Sequence, residues 1–303
     1  MTQRAPAPAL PFFAPVEQRL RSAGIEHLGP AVQKAVQAGR PLATGARVAV
    51  AVGSRGIDRI AEVVRLTVSE LRAMGAQPFI VPAMGSHGGA TAEGQRALLA
   101  GYGVTERDVG AAVESSLDTV PLGRGRSAPF DRLAAAADGV VVVNRVKPHS
   151  ILQGALGSGL AKMTVVGLGN HAGAKALHQA GLSQQLVPVA EALLSAAPVT
   201  VGIALVEDSL DRLALVEGVR PERFAEADRR LLATARAYLP TIPLDPLDGV
   251  VFVWMGKDIS GSGMDPNVIG MHRRLGGPAE RTIHALAALR LTAASHGNAI
   301  GIG

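Results

Sequence analysis

Three short stretches place cationic and imidazole side chains among glycines. They are "GSRGID" with Arg55, "AMGSHGGAT" with His87 between Gly85 and the pair Gly88 and Gly89, and "NRVKPHS" with Arg145, Lys147 and His149. Imidazole titrates near neutral pH, so it both gives and takes a proton, as general acid/base chemistry requires. Arginine adds a fork of donors matched to a carboxylate or phosphate. A single histidine in a glycine loop is ordinarily a turn residue; three such loops meeting in one crevice would suit an anionic substrate whose proton must move. Arg55 precedes an expected helix start, where a cation opposes the helix dipole, and that mismatch also points to an anion. Downstream, "GALGSGLAKMTVVGLGNHAGAKALHQ" carries Gly159, Lys162, His171 and His178. "GALGSG" is out of register for a P-loop, and Lys162 is followed by Met163 rather than Ser or Thr. "GLGNHAG" meets the dinucleotide glycine pattern only loosely, without the acidic residue about 20 positions on. An NAD or ATP site of the usual kind is not expected.

Strands and helices must bring these loops together. "RVAVAV" at 47–52 reads as a strand, and Ile57, Ile60, Val64, Val68, Leu71 and Met74 recur at helical spacing before a second strand at 78–82. This is a βαβ unit of a parallel sheet. A helix is expected at 91–102, a buried strand at 138–144, helices at 173–181 and 185–196, a strand at 199–206, a helix at 221–239 and a strand at 248–255. The fold class is α/β: two α/β lobes with mostly parallel sheets, a Rossmann-like N-terminal lobe and the active site in the cleft between the lobes. Pro240, Pro243 and Pro246 mark a linker. The division is an N-terminal catalytic and cofactor-binding lobe at 1–243, with an arm at 1–15, and a second α/β lobe beginning at 244–303. Loops at the carboxyl ends of parallel strands are where such folds bind ligands.

A chain of 303 residues, 48% hydrophobic, is long enough for two lobes. Its apolar runs are broken by glycine or charge before membrane-spanning length. "MTQRAPAPALPFFAP" is cut by prolines and has no continuous signal-peptide core, so a cytoplasmic protein is expected. With no cysteine, any metal must be held by nitrogen, oxygen or sulfur carried in by a cofactor. The net charge of +5 comes from scattered Lys and Arg with only 3% aromatics, which argues against nucleic acid and for a small anionic molecule.

In this order, "GSRGID", "MGSHGGAT", "NRVKPH", "SGLAKM…GLG…GA…LH" and "GKDISGSGMDPN" resemble the nickel-dependent lactate racemase family, which includes racemases and epimerases of other 2-hydroxy acids. The resemblance runs from about residue 15 to the C-terminus. It implies an isomerase that uses nickel in a nickel pincer nucleotide, a pyridinium-3,5-bisthiocarboxylic acid mononucleotide. It implies that Lys162 attaches the cofactor, that His178 completes the nickel coordination sixteen residues on, and that His87 and His149 are the catalytic pair. It implies that Arg55 grips the substrate carboxylate, and it offers Lys257 of "GKDIS" as a weaker candidate for contacting the cofactor or substrate from the second lobe. It further implies that Gly85, Gly88, Gly89, Lys147 and Gly159 bind the cofactor. Partners implied are the 2-hydroxy acid and the enzymes that make the cofactor. The chemistry is consistent: taking the C2 proton would leave a carbanion beside a carboxylate, whereas taking hydride leaves a 2-keto acid.

Two departures mark the chain as a divergent member. The segment between His149 and Lys162 is longer than in the lactate racemase proper, and the chain stops at "HGNAIGIG", which implies a shortened second lobe. His171 competes with His178 as nickel ligand, and His272 also draws attention. His27, His284 and His296 read as structural. Two other functions fit the same residues: an isomerase or oxidoreductase using these histidines without the pincer cofactor, and a non-catalytic binder of the cofactor or of a phosphorylated metabolite.

Overall fold

Runs such as RVAVAV and GVVVVNR present apolar side chains to both sides of a strand, and such a strand is stable only where both sides are covered. In the computed structural model, which describes residues 14–54, 56–150, 156–261, 263–272 and 281–301, these runs are central strands of a five-stranded sheet. In chain order the first half comprises α1 (Gly29–Gln37), β1 (Arg47–Val52), α2 (Ile60–Ala73), β2 (Gln77–Pro82), α3 (Ala92–Gly101), α4 (Glu106–Val109), β3 (Thr119–Leu122), β4 (Ala128–Asp131), α5 (Arg132–Ala135) and β5 (Gly139–Arg145). There follow α6 (Leu160–Lys162), a π-helical turn at Met163–Gly167, α7 (Asn170–Ala180), α8 (Leu182–Leu194), β6 (Val199–Glu207), β7 (Leu213–Val219), α9 (Phe224–Tyr238), β8 (Leu247–Met255), α10 (Pro266–Ile269) and β9 (Ile283–Leu291).

The main sheet has the order β2-β1-β5-β6-β7, parallel except for β7, which runs antiparallel to β6 at the edge. The protein is therefore mixed α/β with a mostly parallel sheet. Counting only these strands, the order is 2-1-3-4-5, the flavodoxin-like variant of the doubly wound fold rather than the 3-2-1-4-5-6 order of the Rossmann fold proper. Side chains alternate across it. Val48, Val50 and Val52 pack with α1, α2 and α3 on one side, and Ala49, Ala51, Val140 and Val142 pack with α6, α8 and α9 on the other.

β8 and β9 form a separate parallel pair with a small core around Met255, Met264 and Ile269. "DGVVFVW" opens like "DGVVVVN", yet the environments differ: Val141 and Val143 are fully buried, while Val251, Val253 and Trp254 are exposed. Other readings shift. The helix after β1 begins at Ile60 rather than next to Arg55, which lies outside the described residues, as do 1–13 of the expected arm. α1, the β3–β4 hairpin, β7 and β9 are present beyond the expected elements. No helix among the described residues is long and apolar enough to cross a membrane.

Candidate active site

The chain crosses from β1 to β2 on one side of the sheet through α2, and from β5 to β6 on the other through α6 to α8. The loops leaving β1 and β5 therefore part at their carboxyl ends, and a crevice opens between them. A cavity of about 1060 Å³ lies there, lined by Gly53 and Ser54 after β1, His87 after β2, and Asn144, Arg145, Lys147 and His149 at the end of β5. Lys162, His171, Lys175 and His178 line it from the segment after β5, and Lys257 from the turn after β8. The three loops named from sequence do share one edge, because β2, β1 and β5 are parallel neighbours. The volume is ample for a cofactor together with a small substrate.

Ser54 Oγ is 2.5 Å from His87 Nδ1, and the Tyr102 hydroxyl donates to the Ser54 carbonyl at 2.7 Å. The bond at Nδ1 fixes the orientation of the His87 ring at the cavity wall. A hydroxyl both donates and accepts, so it holds the ring in either protonation state without the field of a carboxylate. Gly85, Gly88 and Gly89 are not among the lining residues; Gly85 and Gly88 allow close backbone packing, while Gly89 faces open space with φ +67. Gly85 has φ +60, and its N–H reaches the Gly167 carbonyl at 3.3 Å; a side chain on Gly88 would strike the backbone of Gly94 and Gln95.

After β5 the chain makes an excursion closed at its base by a pair of backbone hydrogen bonds between Lys147 and Ser158, at 3.1 and 2.9 Å. This is the longer segment noted between His149 and Lys162; its residues 151–155 lie outside the described residues. Lys162 then emerges on α6, whose start is fixed from two directions. Asn144 Nδ2 donates to the Gly159 carbonyl at 2.7 Å, and the buried carboxylate of Asp228 on α9 accepts the N–H groups of Leu160 and Ala161, each at 2.9 Å. Gly159 is itself absent from the cavity lining, and a Cβ there would lie 2.4 Å from the Asp228 carboxyl carbon, so glycine lets the carboxylate reach the helix start. Burial pushes the Asp228 carboxyl up to about 6, opposed by the two backbone N–H groups.

The apolar "MTVV" is a π-helical turn, not a strand, so "GLGNHAG" is no strand-to-helix phosphate loop. Asn170 turns the chain into α7 with φ +52; its amide donates at 2.9 Å to Asp131, whose carboxyl burial raises above its ordinary value. From there His171, Ala174, Lys175 and His178 share one face of α7, since residues three, four and seven apart align on a helix. His171 and His178 are thus two turns apart on the same wall rather than exclusive alternatives. His272 is buried and does not line the cavity.

Lys257 donates its ammonium to the Ile300 carbonyl at 2.6 Å, and its backbone N–H to Ser295. Arg145 forms an ion pair with Glu207, side chains 15% and 7% exposed, that no local sequence pattern announces. Glu207 also accepts the Asp58 N–H at 2.7 Å, tying the end of β6 to the loop before α2. Ser54 and Lys175 line the cavity beyond the expected site residues. Their signals are present in the sequence: Ser54 precedes Arg55, and Lys175 is one turn past His171.

No protein-family model matches the sequence, and no curated protein does. Among solved structures the chain is similar to the lactate racemase apoprotein from Thermoanaerobacterium thermosaccharolyticum, at 13% identity and a TM-score of 0.50. The likeness covers 81% of this chain and 63% of that one, so this chain spans less than two thirds of the neighbour's length. At that identity the likeness establishes a shared mixed α/β fold.

Proposed function

We propose that the protein is a racemase or epimerase of a 2-hydroxy acid, working at the carboxyl edge of the main sheet. The observation that carries the reading is the convergence of His87, His149, Lys162, His178 and Lys257 on one cavity from separate segments of the chain. The fold held in common with a lactate racemase apoprotein supports it.

The residues fit a nickel pincer nucleotide. Lys162 is the attachment residue and His178 the metal ligand, a neutral imidazole being well suited to Ni(II). Among the described residues no three His, Asp or Glu side chains are grouped as a protein-only metal centre requires, so the other donors come with the cofactor. The cofactor, when bound, supplies a metal-held pyridinium able to accept and return hydride. The chain's own groups do the rest. Arg55 and Lys257 hold the substrate carboxylate, while His87 and His149 exchange the hydroxyl proton, one serving each enantiomer. Lys147 would lie against the cofactor, the close approaches at Gly85, Gly88 and Gly159 would shape its seat, and Gly89 supplies a left-handed turn in the same loop as His87. The cofactor arrives from the enzymes that make it, in the cytoplasm.

Protein coexpressed with those enzymes is expected to contain nickel and to show a mass increment on Lys162. His178→Ala should lower nickel content about 10-fold or more, while His171→Ala retains it. Wild-type protein with neither nickel nor an adduct overturns the reading. A second prediction concerns Ser54. Ser54→Asp places a carboxylate on His87 Nδ1 and favours imidazolium, so the acid limb of the kcat/KM profile should move up by about 1 pH unit or more. An unmoved limb would mean that another group governs it.

A further inference from the structure

We infer that His171 and Lys175 form an anion-binding face that takes a second acidic group of the ligand, so that the preferred substrate is a 2-hydroxy acid bearing a further carboxylate or phosphate. The inference rests on the 2-hydroxy acid reading and narrows it. His171 and Lys175 are one turn apart on α7, exposed, and both line the cavity. Among the described residues neither has a hydrogen bond or ion pair from its side chain, whereas several acids on the same cavity are already engaged. Glu207 is committed to Arg145 and to the Asp58 N–H. Asp58 accepts the Leu213 N–H, Asp258 the Thr292 hydroxyl, and Asp265 the Asn267 N–H. Asp211 is exposed at the lining, and among the described residues its side chain has no such partner. The uncommitted charge on the α7 side is thus cationic.

Position favours a ligand bound at the histidines. The His87 loop packs on α7: a Cβ on Gly85 would lie 3.6 Å from that of Ala174, which is between His171 and Lys175 on the cavity face. A group held by His171 and Lys175 would therefore share the cavity with a group held at His87. A three-carbon monoacid has no second charge to offer this face. A hydroxy diacid or a phosphorylated hydroxy acid does, and the shared chemistry is an oxyanion received by an ammonium and an imidazole.

Isothermal titration of the full chain at low salt with L-malate, L-lactate and inorganic phosphate tests this without cofactor. Malate is expected to bind at least about 10-fold more tightly than lactate, with the preference lost in Lys175→Ala, weakened in His171→Ala and largely kept in Lys175→Arg. Phosphate binding tighter than malate, and lost in Lys175→Ala, also supports the anion face and names phosphate as its occupant. Equal affinity for malate and lactate without phosphate binding, a preference unchanged in Lys175→Ala, or no binding of any of the three overturns it. Failure of the racemase reading shows separately, as protein that preserves this binding pattern but, coexpressed with the cofactor-making enzymes, carries no nickel and no adduct.

Discussion

His87→Ala and His149→Ala are each expected to lower racemisation about 100- to 10,000-fold while nickel content stays at the wild-type level. The geometry behind this is the sheet order. His87 follows β2 and His149 follows β5, the two neighbours of β1, so their loops leave the sheet two strand spacings apart. That separation is about 10 Å, enough to place a small acid between two imidazoles. A reaction that runs from either enantiomer needs a proton acceptor on both sides of the substrate, and loss of either side stops interconversion. The double variant should be little worse than the worse single one, because the two residues act in one cycle. Chiral chromatography of the product and metal analysis of the protein provide the two readouts. Nickel lost along with activity would make these residues ligands and would remove the assignment of His178.

At about pH 4, Asp228→Ala is expected to cost about 3–5 kcal/mol of stability, measured by urea unfolding, because it strands two buried N–H groups at about 1–3 kcal/mol each and leaves a void. Gly159→Ala should cost about 1–3 kcal/mol, as the new methyl must displace the carboxylate. The pH dependence has a definite sign. With a folded-state value of about 6 against an ordinary 3.8, the contribution of Asp228 is fully present below about 3.8 and is lost as pH rises through about 6. The change is on the order of 3 kcal/mol at about 1.4 kcal/mol per unit. Asp228→Asn removes the titration. The wild-type advantage over it should therefore shrink between about pH 4 and pH 6. An advantage that instead grows with pH would mean that the two N–H groups outweigh burial and hold the carboxyl ionised.

Much of the scaffold was legible in local patterns. The runs at 47–52, 78–82 and 138–144 announce buried strands, found within a residue at Arg47–Val52, Gln77–Pro82 and Gly139–Arg145, and the spacing of Ile60, Val64, Val68 and Leu71 announces the crossover helix between the first two. Histidines and lysines at the ends of those strands were readable as candidates for the same reason. β7 was not legible because it is an edge strand of intermediate burial, with Glu217 and Gly218 in its sequence, so its apolar signal is diluted. The π-helical turn at Met163–Gly167 escaped because a short apolar run has the same composition in a strand as in a buried helical turn.

By itself the sequence determined the alternation of strand and helix, the parallel character of the sheet, and which strand ends carry imidazole and ammonium groups. These follow from side-chain periodicity and turn chemistry, which operate over a few neighbouring residues. Only the tertiary structure decided that β2 and β5 flank β1, that Asp228 reaches back to seat the helix of Lys162, that Glu207 neutralises Arg145, and that His171, Lys175 and His178 form one wall. Three of these four bring together groups far apart in the chain; the α7 face has local spacing, but which way it points is also set by long-range packing. Their arrangement depends on which burial of both sheet faces is lowest in free energy for the whole chain, a quantity no local pattern contains.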